Sequence, residues 1–340
     1  MAHTTIANLW TPAIWIPTID EGVRSFPSLV TSPVVQQSPL FDSLASGGGT
    51  SVNLPFFQDF TDTDDGIQVE NSAPTVNNLT SGTNVAPVLN RVVSFGSEAL
   101  AKAVAGADPV AAITRQIAVN RQKRAQKTLL AIIRGLFAAN AAPATAAALS
   151  ACRSDVSLEA GASPAAGQLI DSTKFNNAVA LMGELQSGLL NGVVWMHPII
   201  RAALLNADSN SFERLSRGDL MLETYKGIPV VVSNLLVRAG TTSGSVYDTY
   251  VIAPGAIAWG MKPQVAGIDA ASLQYDADPS KNQEAIYDRT RMLIHVNGTK
   301  WTGTPSGQSA TDAELRTSTN WALAFQSADR CGIVQIRTNG

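Results

Sequence analysis

The chain of 340 residues is long enough for two domains of ordinary size, or for one domain with long excursions. It carries 24 basic and 27 acidic side chains, and this formal net charge of −3 gives no sign of a dedicated nucleic-acid binder and argues against a disordered polyanion. Charged residues make up only 15% of the chain, against about 25% in a typical soluble domain. A surface so poor in charge indicates that much of it is buried against partners.

Two further classes are excluded by pattern. Cys152 and Cys331 cannot form a disulfide framework and lack metal-ligand spacing, so they fit a reducing compartment. No apolar run approaches the roughly 18 residues that a membrane span needs, and the N-terminus lacks the basic and apolar regions of a secretory signal. We therefore expect a protein that is made, or assembled, inside a cell.

The first 46 residues predict an irregular, extended arm. Five prolines between Pro12 and Pro39 are spaced too closely for helices. Large apolar residues, including Trp10, Trp15 and Phe26, lie between the prolines and require a surface to cover them. The arm either packs on its own domain or crosses a neighbouring subunit.

A projecting two-stranded loop is predicted next. Gly47–Gly49 resemble a hinge, and the alternating stretch Ser51–Phe57 predicts a strand that includes Phe56 and Phe57. A turn-rich, polar segment follows, and the chain returns in a strand at Val85–Val93. Such a hairpin is marginally stable alone and would gain from lying on a partner.

Charge is sorted along the chain. Residues 1–90 hold eight acids, among them Asp62, Asp64 and Asp65, and a single base. Residues 109–152 hold six bases and no acid. The net charge of the whole chain is therefore close to zero, although its N-terminal part is acidic and a later segment is basic.

The basic segment predicts a long helix over Pro109–Ala139. Asp108 can cap it, Pro109 suits the first helical position, and its apolar residues cluster at the two ends. Its middle is polar around most of the circumference, which predicts a solvated, cationic spine. The bases could neutralise a phosphate backbone without reading sequence, or could pair with the acidic loop of this or a neighbouring subunit. Both alternatives stay open.

Alternating elements after residue 170 predict a compact α/β unit of about one hundred residues. Helices are expected at 172–188 and Ile199–Asn206. Strands are expected at Gly192–Met196, Tyr225–Ser233, Tyr247–Pro254, Gly255–Trp259 and, further along, Ala285–Val296. Asn297–Gly298 is a hairpin signal after the last of these strands.

No catalytic, cofactor-binding or metal-ligating set can be assigned. His3, His197 and His295 are scattered, and the motifs of nucleotide loops and hydrolase elbows are absent. The acidic run 59–66 does not have the spacing of an EF-hand, which leaves a looser cation site or a solvated, partner-facing loop. We therefore do not expect an enzyme.

The order of these parts resembles the major capsid proteins of tailed bacteriophages, which have the Hong Kong 97-type fold. The resemblance covers nearly the whole chain, and it is carried by the segments Asp108–Ile113, Arg124–Ala138, Tyr225–Val230 and Asn297–Trp301. It implies an α+β fold with an N-terminal arm (1–50), an extended β-hairpin loop or E-loop (51–92), a peripheral domain (93–169) with a spine helix (109–139), an axial α/β domain (170–275), and returning peripheral strands with the C-terminal segment (276–340).

The resemblance also implies a function and partners. Such subunits form hexamers and pentamers that close into an icosahedral shell around double-stranded DNA, so the expected place is the virion capsid after assembly in the host cytoplasm. The expected partners are further copies of the chain, a separate scaffolding protein, a portal and a decoration or cement protein, without a membrane. The expected DNA-proximal basic patch on the inner face is Arg115, Arg121, Lys123, Arg124 and Lys127. The expected contacts between subunits are Trp10, Trp15, Phe26, Phe56, Phe57, Asp62, Asp64 and Asp65.

Two other functions compete with this one. An encapsulin-like nanocompartment would share the fold but hold cargo enzymes, and an α/β enzyme would use the unit 170–275. Nuclease-protected DNA favours the phage shell, a co-purifying enzyme favours the compartment, and a monomer with a small-molecule ligand favours the enzyme.

Overall fold

The structure is a computed structural model that describes residues 32, 34–46, 49–60, 67, 70, 76–98, 109–137, 147–158, 163–217, 220–238, 244–263, 273–278 and 283–340. Its helices are α1 (Pro39–Ser46), α2 (Pro109–Leu136), α3 (Ser172–Ala180), α4 (Pro198–Ala207) and α5 (Asp312–Arg316). Its strands are β1 (Val35–Gln37), β2 (Ser51–Phe57), β3 (Ser81–Glu98), β4 (Arg153–Asp155), β5 (Val193–Met196), β6 (Phe212–Arg217), β7 (Leu220–Tyr225), β8 (Ile228–Val232), β9 (Val237–Arg238), β10 (Val246–Ile252), β11 (Ile257–Pro263), β12 (Leu273–Asp278), β13 (Gln283–Val296), β14 (Thr299–Trp301), β15 (Trp321–Leu323) and β16 (Ile333–Thr338).

The strands form two mixed sheets. The first sheet has the order β1-β11-β13-β3-β14-β15, with β2 paired to β3 and β12 paired to β13. The second has the order β4-β16-β10-β5-β8-β7-β6, with β9 paired to β10. We call them the peripheral sheet and the axial sheet. The parts of the chain interleave, because β16, near the C-terminus, lies between β4 and β10 of the axial sheet and pairs with β10 from Tyr247–Thr338 to Ile252–Ile333.

The helix α2 is the longest in the described residues, and its length is about 42 Å at 1.5 Å per residue. It begins at Pro109 as predicted and ends at Leu136, whereas residues 138 and 139 of the prediction lie outside the described residues. Residues 129–133 are apolar and buried, with Leu129, Ile132 and Ile133 at 0% exposure. The following Phe137 packs on Tyr250 of the axial sheet, with a distance of 6.1 Å between ring centroids.

The prediction that the first 46 residues lack helices is wrong for the described part. Pro39 opens α1, where a missing N–H costs nothing because the first turn of a helix has no intrahelical acceptor for it. Ser38 caps the helix, and its Oγ accepts a hydrogen bond from the N–H of Phe41 at 3.4 Å. Proline therefore starts a helix here, whereas in a helix interior it would end one.

The helix α1 covers the second face of the peripheral sheet. Ala45 is fully buried and packs with Ala86, Val88 and Leu293 of β3 and β13. Asp42 accepts a hydrogen bond from the N–H of Met261 at 2.9 Å, which fixes the helix to β11. The described segment 34–46 is thus part of the body of its own subunit.

Three further expectations need correction. The segment Tyr225–Ser233 is two strands, because Lys226 and Gly227 both have positive φ, 51° and 80°, and turn the chain between β7 and β8. The helix expected over 172–188 ends at Ala180, and a 3-10 segment, Gly183–Asn191, follows.

The third correction concerns Asn297–Gly298. Gly298 has φ +82° in the predicted turn, but β14 leaves that turn to pair with β15 and with Val85 of β3. The predicted hairpin is therefore wrong within the described residues, although the turn exists. The long-range pairing of β14 outweighs the local signal of the Asn-Gly dipeptide.

We predict that Gly260→Ala loosens α1. A Cβ atom at Gly260 would lie 2.3 Å from the backbone oxygen of Phe41, so α1 must move away from β11. Amide hydrogen exchange over 39–46 should become at least tenfold faster. Gly188→Ala is the matched control, since its Cβ would have no neighbour within 4 Å. Equal protection of 39–46 in the two variants would contradict this role of Gly260.

Candidate functional site

The helix α2 carries all five residues of the predicted basic patch and lies between the two sheets. Arg121 and Arg124 reach Asp288 in the middle of β13. An Arg121 nitrogen lies 2.7 Å from Asp288 Oδ1, and Arg124 pairs with Oδ2. The Asp288 side chain is fully buried, whereas the two arginines retain 25% and 22% of their exposure. The carboxylate thus has two counter-charges, which offset the cost of removing it from water.

A second buried carboxylate holds the other end of the helix. Asp248 of β10 is fully buried, and its Oδ2 lies 3.2 Å from Arg134 Nε and 2.8 Å from Arg238 Nε. Gln335 of β16 donates to its other oxygen at 3.0 Å. Arg134 also donates to the carbonyl of Leu235 at 3.2 Å. The helix is therefore fastened to the peripheral sheet at Asp288 and to the axial sheet at Asp248.

Both carboxylates were missed as partners of the helix, although the sequence contains a signal. Asp248 lies within the apolar run Val246–Ile252, and Asp288 lies within the strand Ala285–Val296. A carboxylate inside a strand that is buried on both faces needs a cationic partner. The basic helix is the richest source of such partners in the chain.

The prediction of a solvated helix middle, polar around most of its circumference, holds for Gln122 and Lys127 but is wrong for one side of the helix. Ala125, Gln126 and Thr128 are 4%, 2% and 3% exposed. Gln126 donates to Ser233 Oγ at 3.3 Å, and Thr128 donates to Asp312 Oδ1 at 3.3 Å. The middle is buried because the helix lies between elements of both sheets, and its arginines extend back toward Asp288.

Lys123 and Lys127 are not part of the anchor at Asp288. At about 100° per residue, Lys123 lies about 160° around the axis from Arg121 and about 100° from Arg124, whereas Lys127 lies about 120° from Arg121 and about 60° from Arg124. Lys127 is exposed and Lys123 is half-buried, and neither forms an ion pair with a described residue. Arg115 lies in the helix, but the structure describes only its backbone. The described side chains of the patch thus divide into two structural arginines and two lysines that form no ion pair with a described residue.

The second predicted surface is the hairpin of β2 and β3. Its strands pair from Ser51–Pro87 to Phe57–Ser81. Phe57 is 76% exposed and Val76 is 80% exposed. Phe56 instead packs edge-on against Phe325, with 5.2 Å between ring centroids. The described part of the hairpin therefore presents apolar side chains to solvent.

Several predicted contact residues cannot be placed. Trp10, Trp15, Phe26, Asp62, Asp64 and Asp65 lie outside the described residues. Asp59, at the described end of the acidic run, pairs with Arg330 at 2.8 Å. The predicted pairing of this run with the basic helix is therefore not seen at Asp59.

Buried titratable groups elsewhere have displaced pKa values. Burial lowers the pKa of His295 on β13 to about 4, and both of its ring nitrogens lack a hydrogen-bond partner among the described residues. Burial raises the pKa of the Cys152 thiol to about 11 and that of Cys331 to about 12, with smaller contributions from nearby acidic groups. Thiols held in the protonated form are poor nucleophiles, and both cysteines are unpaired.

The described residues contain no group of three or more His, Cys, Asp or Glu side chains arranged to hold a metal ion. Among the same residues, no helix has the length and apolar character to cross a membrane.

Comparison with known proteins identifies the fold. No protein-family profile matches the chain. The chain is 22% identical to the major capsid protein of Bacillus phage SPP1 over 341 residues, which cover 99% of this chain and 98% of that protein. The capsid of Ralstonia phage GP4 has a TM-score of 0.61 at 9% identity, covering 100% of this chain and 98% of that chain.

Two further solved structures have a similar fold. The cyanophage Pam1 capsid has a TM-score of 0.60 at 12% identity, covering 100% of this chain and 99% of that chain. The SrpI encapsulin of Synechococcus elongatus has a TM-score of 0.51 at 11% identity, covering 100% and 96%. The predicted α+β capsid fold of the Hong Kong 97 type is confirmed, and so is the resemblance to major capsid proteins.

We predict that the arginines and lysines of α2 differ sharply in their effect on stability. Arg121→Gln with Arg124→Gln leaves the buried Asp288 without its two counter-charges, and we expect the free energy of unfolding to fall by about 3–5 kcal/mol. Lys123→Gln with Lys127→Gln removes the same charge from the same helix and should change it by less than about 0.5 kcal/mol. Urea unfolding of the unassembled chain measures both. Similar losses in the two double variants would refute the division of the patch.

We predict that His295 makes the stability of the fold sensitive to acid. Its pKa is lowered from about 6.5 in the unfolded chain to about 4, so the unfolded chain binds more protons between these values. The contribution to stability is complete above pH 6.5 and is lost as the pH falls toward 4, by up to about 1.4 kcal/mol per pH unit.

His295→Leu tests this contribution. At pH 7 the variant should be at least as stable as the natural chain, because the substitution removes two unpaired polar atoms. Between pH 7 and pH 5, the free energy of unfolding of the variant should fall by about 2 kcal/mol less than that of the natural chain. Burial also lowers the pKa of His197, so His197 leaves a residual slope in the variant. An unchanged pH dependence in His295→Leu would rule out the proposed contribution of His295.

Proposed function

We propose that this chain is the subunit of an icosahedral shell that assembles through hexamers and pentamers and encloses double-stranded phage DNA. The observation that carries the proposal is the likeness to the major capsid protein of phage SPP1 over 99% of this chain. The likeness in fold to the phage GP4 and Pam1 capsids supports it. The proposed role is structural and not catalytic, and the proposed place is the virion capsid, with assembly in the host cytoplasm.

Features of the chain itself agree with a subunit that requires neighbours. A two-stranded hairpin is marginally stable on its own, and the hairpin of β2 and β3 exposes large apolar side chains, including Phe57. A second copy of the chain would cover this surface. We propose that Trp10, Trp15 and Phe26 in the arm contribute to the same contacts.

We also propose that Lys123 and Lys127 supply the non-specific contact with packaged DNA, together with Arg115. These lysines retain their charge for a partner, whereas Arg121 and Arg124 are committed to Asp288. Contacts between lysine and phosphate need no base recognition and suit a genome of any sequence. A separate scaffolding protein, a portal and a decoration protein complete the proposed set of partners.

An encapsulin-like compartment is the second candidate, because the SrpI encapsulin shares the fold with a TM-score of 0.51. Its shell would hold cargo enzymes in place of a genome. The relative from phage SPP1 favours the phage shell. Lys123 and Lys127 of α2 also favour it, because they could contact a packaged genome.

Electron microscopy of the expressed chain tests the shell. We expect closed icosahedral particles with hexameric and pentameric units, formed either by the chain alone or with a co-expressed scaffolding protein. Particles from infected cells should contain nuclease-protected DNA. A stable monomer of about 36 kDa at high concentration, with or without that scaffold, would contradict the proposal. A co-purifying enzyme inside DNA-free shells would instead support the encapsulin-like compartment.

The DNA contact has its own test. Lys123→Gln with Lys127→Gln should lower the affinity of the chain for a DNA duplex and reduce the slope of log affinity against log salt by about 2, since each phosphate contact contributes about 0.9. The control removes the same charge elsewhere, by Lys226→Gln with Lys300→Gln. Fluorescence anisotropy measures the binding. Equal slopes in the two double variants would disprove the assignment.

A further inference from the structure

Six charged side chains meet on one face of the axial sheet. Arg337 of β16 lies opposite Asp155 of β4 on one side and opposite Asp248 of β10 on the other. Residues directly opposite each other on paired strands point to the same face, so these three side chains lie side by side. Arg134 reaches the same face from the end of α2. We call this group the arginine cluster, and its members are Arg134, Arg153, Arg238, Arg337, Asp155 and Asp248.

The four arginines share only two carboxylates within the cluster. Arg337 Nη1 lies 3.3 Å from Asp155 Oδ2, and Arg337 Nε lies 4.0 Å from Asp248 Oδ1. Arg153 forms a second ion pair with Asp155, and Asp248 takes the arginines of α2 and β9 as described above. The cluster therefore has two positive charges more than it has negative charges.

The excess charge is held away from water. The side chains of Arg337 and Arg153 are only 5% and 9% exposed. Burial lowers the pKa of the Arg337 guanidinium, and the positive charges of Arg153 and Arg134 lower it further. Arg153 also donates to the carbonyl of Phe137 at 3.1 Å, but a carbonyl group satisfies a hydrogen bond without neutralising a charge. A buried charge without a counter-charge is costly, so an added anion would stabilise the cluster.

The adjoining parts of the chain supply few acids. Segments 138–146 and 239–243, which follow Phe137 and Arg238 in the sequence, contain no acidic residue. Segment 159–162 contains one, Glu159. One positive charge would remain in excess even with Glu159 at the cluster.

The cluster is most accessible where α2 meets β9. The side chains of Arg134 and Arg238 keep 14% and 13% of their exposure there, and Arg134 donates to the carbonyl of Val237 at 3.4 Å. The exposed Lys127 precedes Arg134 by seven residues. This spacing places the two side chains about 20° apart around the helix axis and about 10 Å apart along it. A line of positive charge thus runs from Lys127 into the cluster.

We propose that the arginine cluster binds a phosphate group on its Arg134 and Arg238 side. The planar fork of N–H groups on a guanidinium matches the oxygens of a phosphate, and the phosphate supplies the missing negative charge. The phosphate comes either from a nucleic-acid backbone or from free inorganic phosphate. The nucleic-acid source rests on the proposed function, and it would extend the contact at Lys127 onto the axial sheet.

Inorganic phosphate is the probe for the site itself. The urea midpoint of the unassembled full chain is compared in phosphate and in sodium chloride of equal ionic strength. Phosphate stabilises many proteins by exclusion from their surface, so Arg201→Gln, which removes a charge paired with Glu223 outside the cluster, is the matched control. The midpoint of the natural chain and of the control should rise in phosphate by about 0.5 M more than that of Arg238→Gln. Arg238→Lys, which keeps the charge, should retain most of this difference. Equal responses of Arg238→Gln and Arg201→Gln would overturn the proposal.

DNA binding distinguishes the two sources of phosphate. If the source is a nucleic-acid backbone, Arg238→Gln should reduce the slope of log affinity against log salt for a DNA duplex by about 1, and Arg201→Gln should leave it unchanged. Loss of the phosphate response with unchanged DNA binding would assign the site to free phosphate. Stabilisation by a peptide of residues 59–66, without any specific response to phosphate, would overturn the proposal in favour of the acidic segment of a second copy. Because these measurements use the free chain, they stand even if no shell forms, and failure to assemble would count against the proposed function alone.

Discussion

The fold depends on one arrangement, in which two buried carboxylates fasten a single long helix to two different sheets. Asp288 takes Arg121 and Arg124 from the middle of α2, and Asp248 takes Arg134 from its end and Arg238 from the axial sheet. A carboxylate without exposure is costly unless it is paired, so each anchor requires its arginines in place. The helix thereby fixes how the peripheral and axial sheets meet.

These anchors lower the number of charged residues that remain on the outer surface. Some of the few charged residues form ion pairs inside the subunit. The outer surface is therefore rich in uncharged and apolar groups such as Phe57. Such a surface suits a protein whose neighbours are copies of itself. Lys123 and Lys127 form no ion pair with a described residue, and they remain available for the proposed contact with DNA. Attachment within the subunit and the proposed DNA contact therefore use different side chains of one helix.

The two kinds of attachment differ in strength for a physical reason. The anchors of α2 are buried on the carboxylate side and are shielded from salt, whereas the pair of Asp59 and Arg330 is half-exposed beside a cavity. The attachment of α2 is therefore less sensitive to salt than the contact between Asp59 and Arg330.

The sequence by itself determined the start of α2 at Pro109 and the strands β2, β5 and β13, because these follow from local periodicity and capping. The order of the parts and a few short segments carried the resemblance to capsid proteins. Only the tertiary structure decided which basic residues are structural, since Asp288 is more than 160 positions away from Arg124 in the chain. It also replaced the hairpin expected at Asn297–Gly298 by long-range pairing of β14, and it placed a helix after Pro39. Pairing between distant segments is set by burial of the whole chain, and no local pattern of residues encodes it.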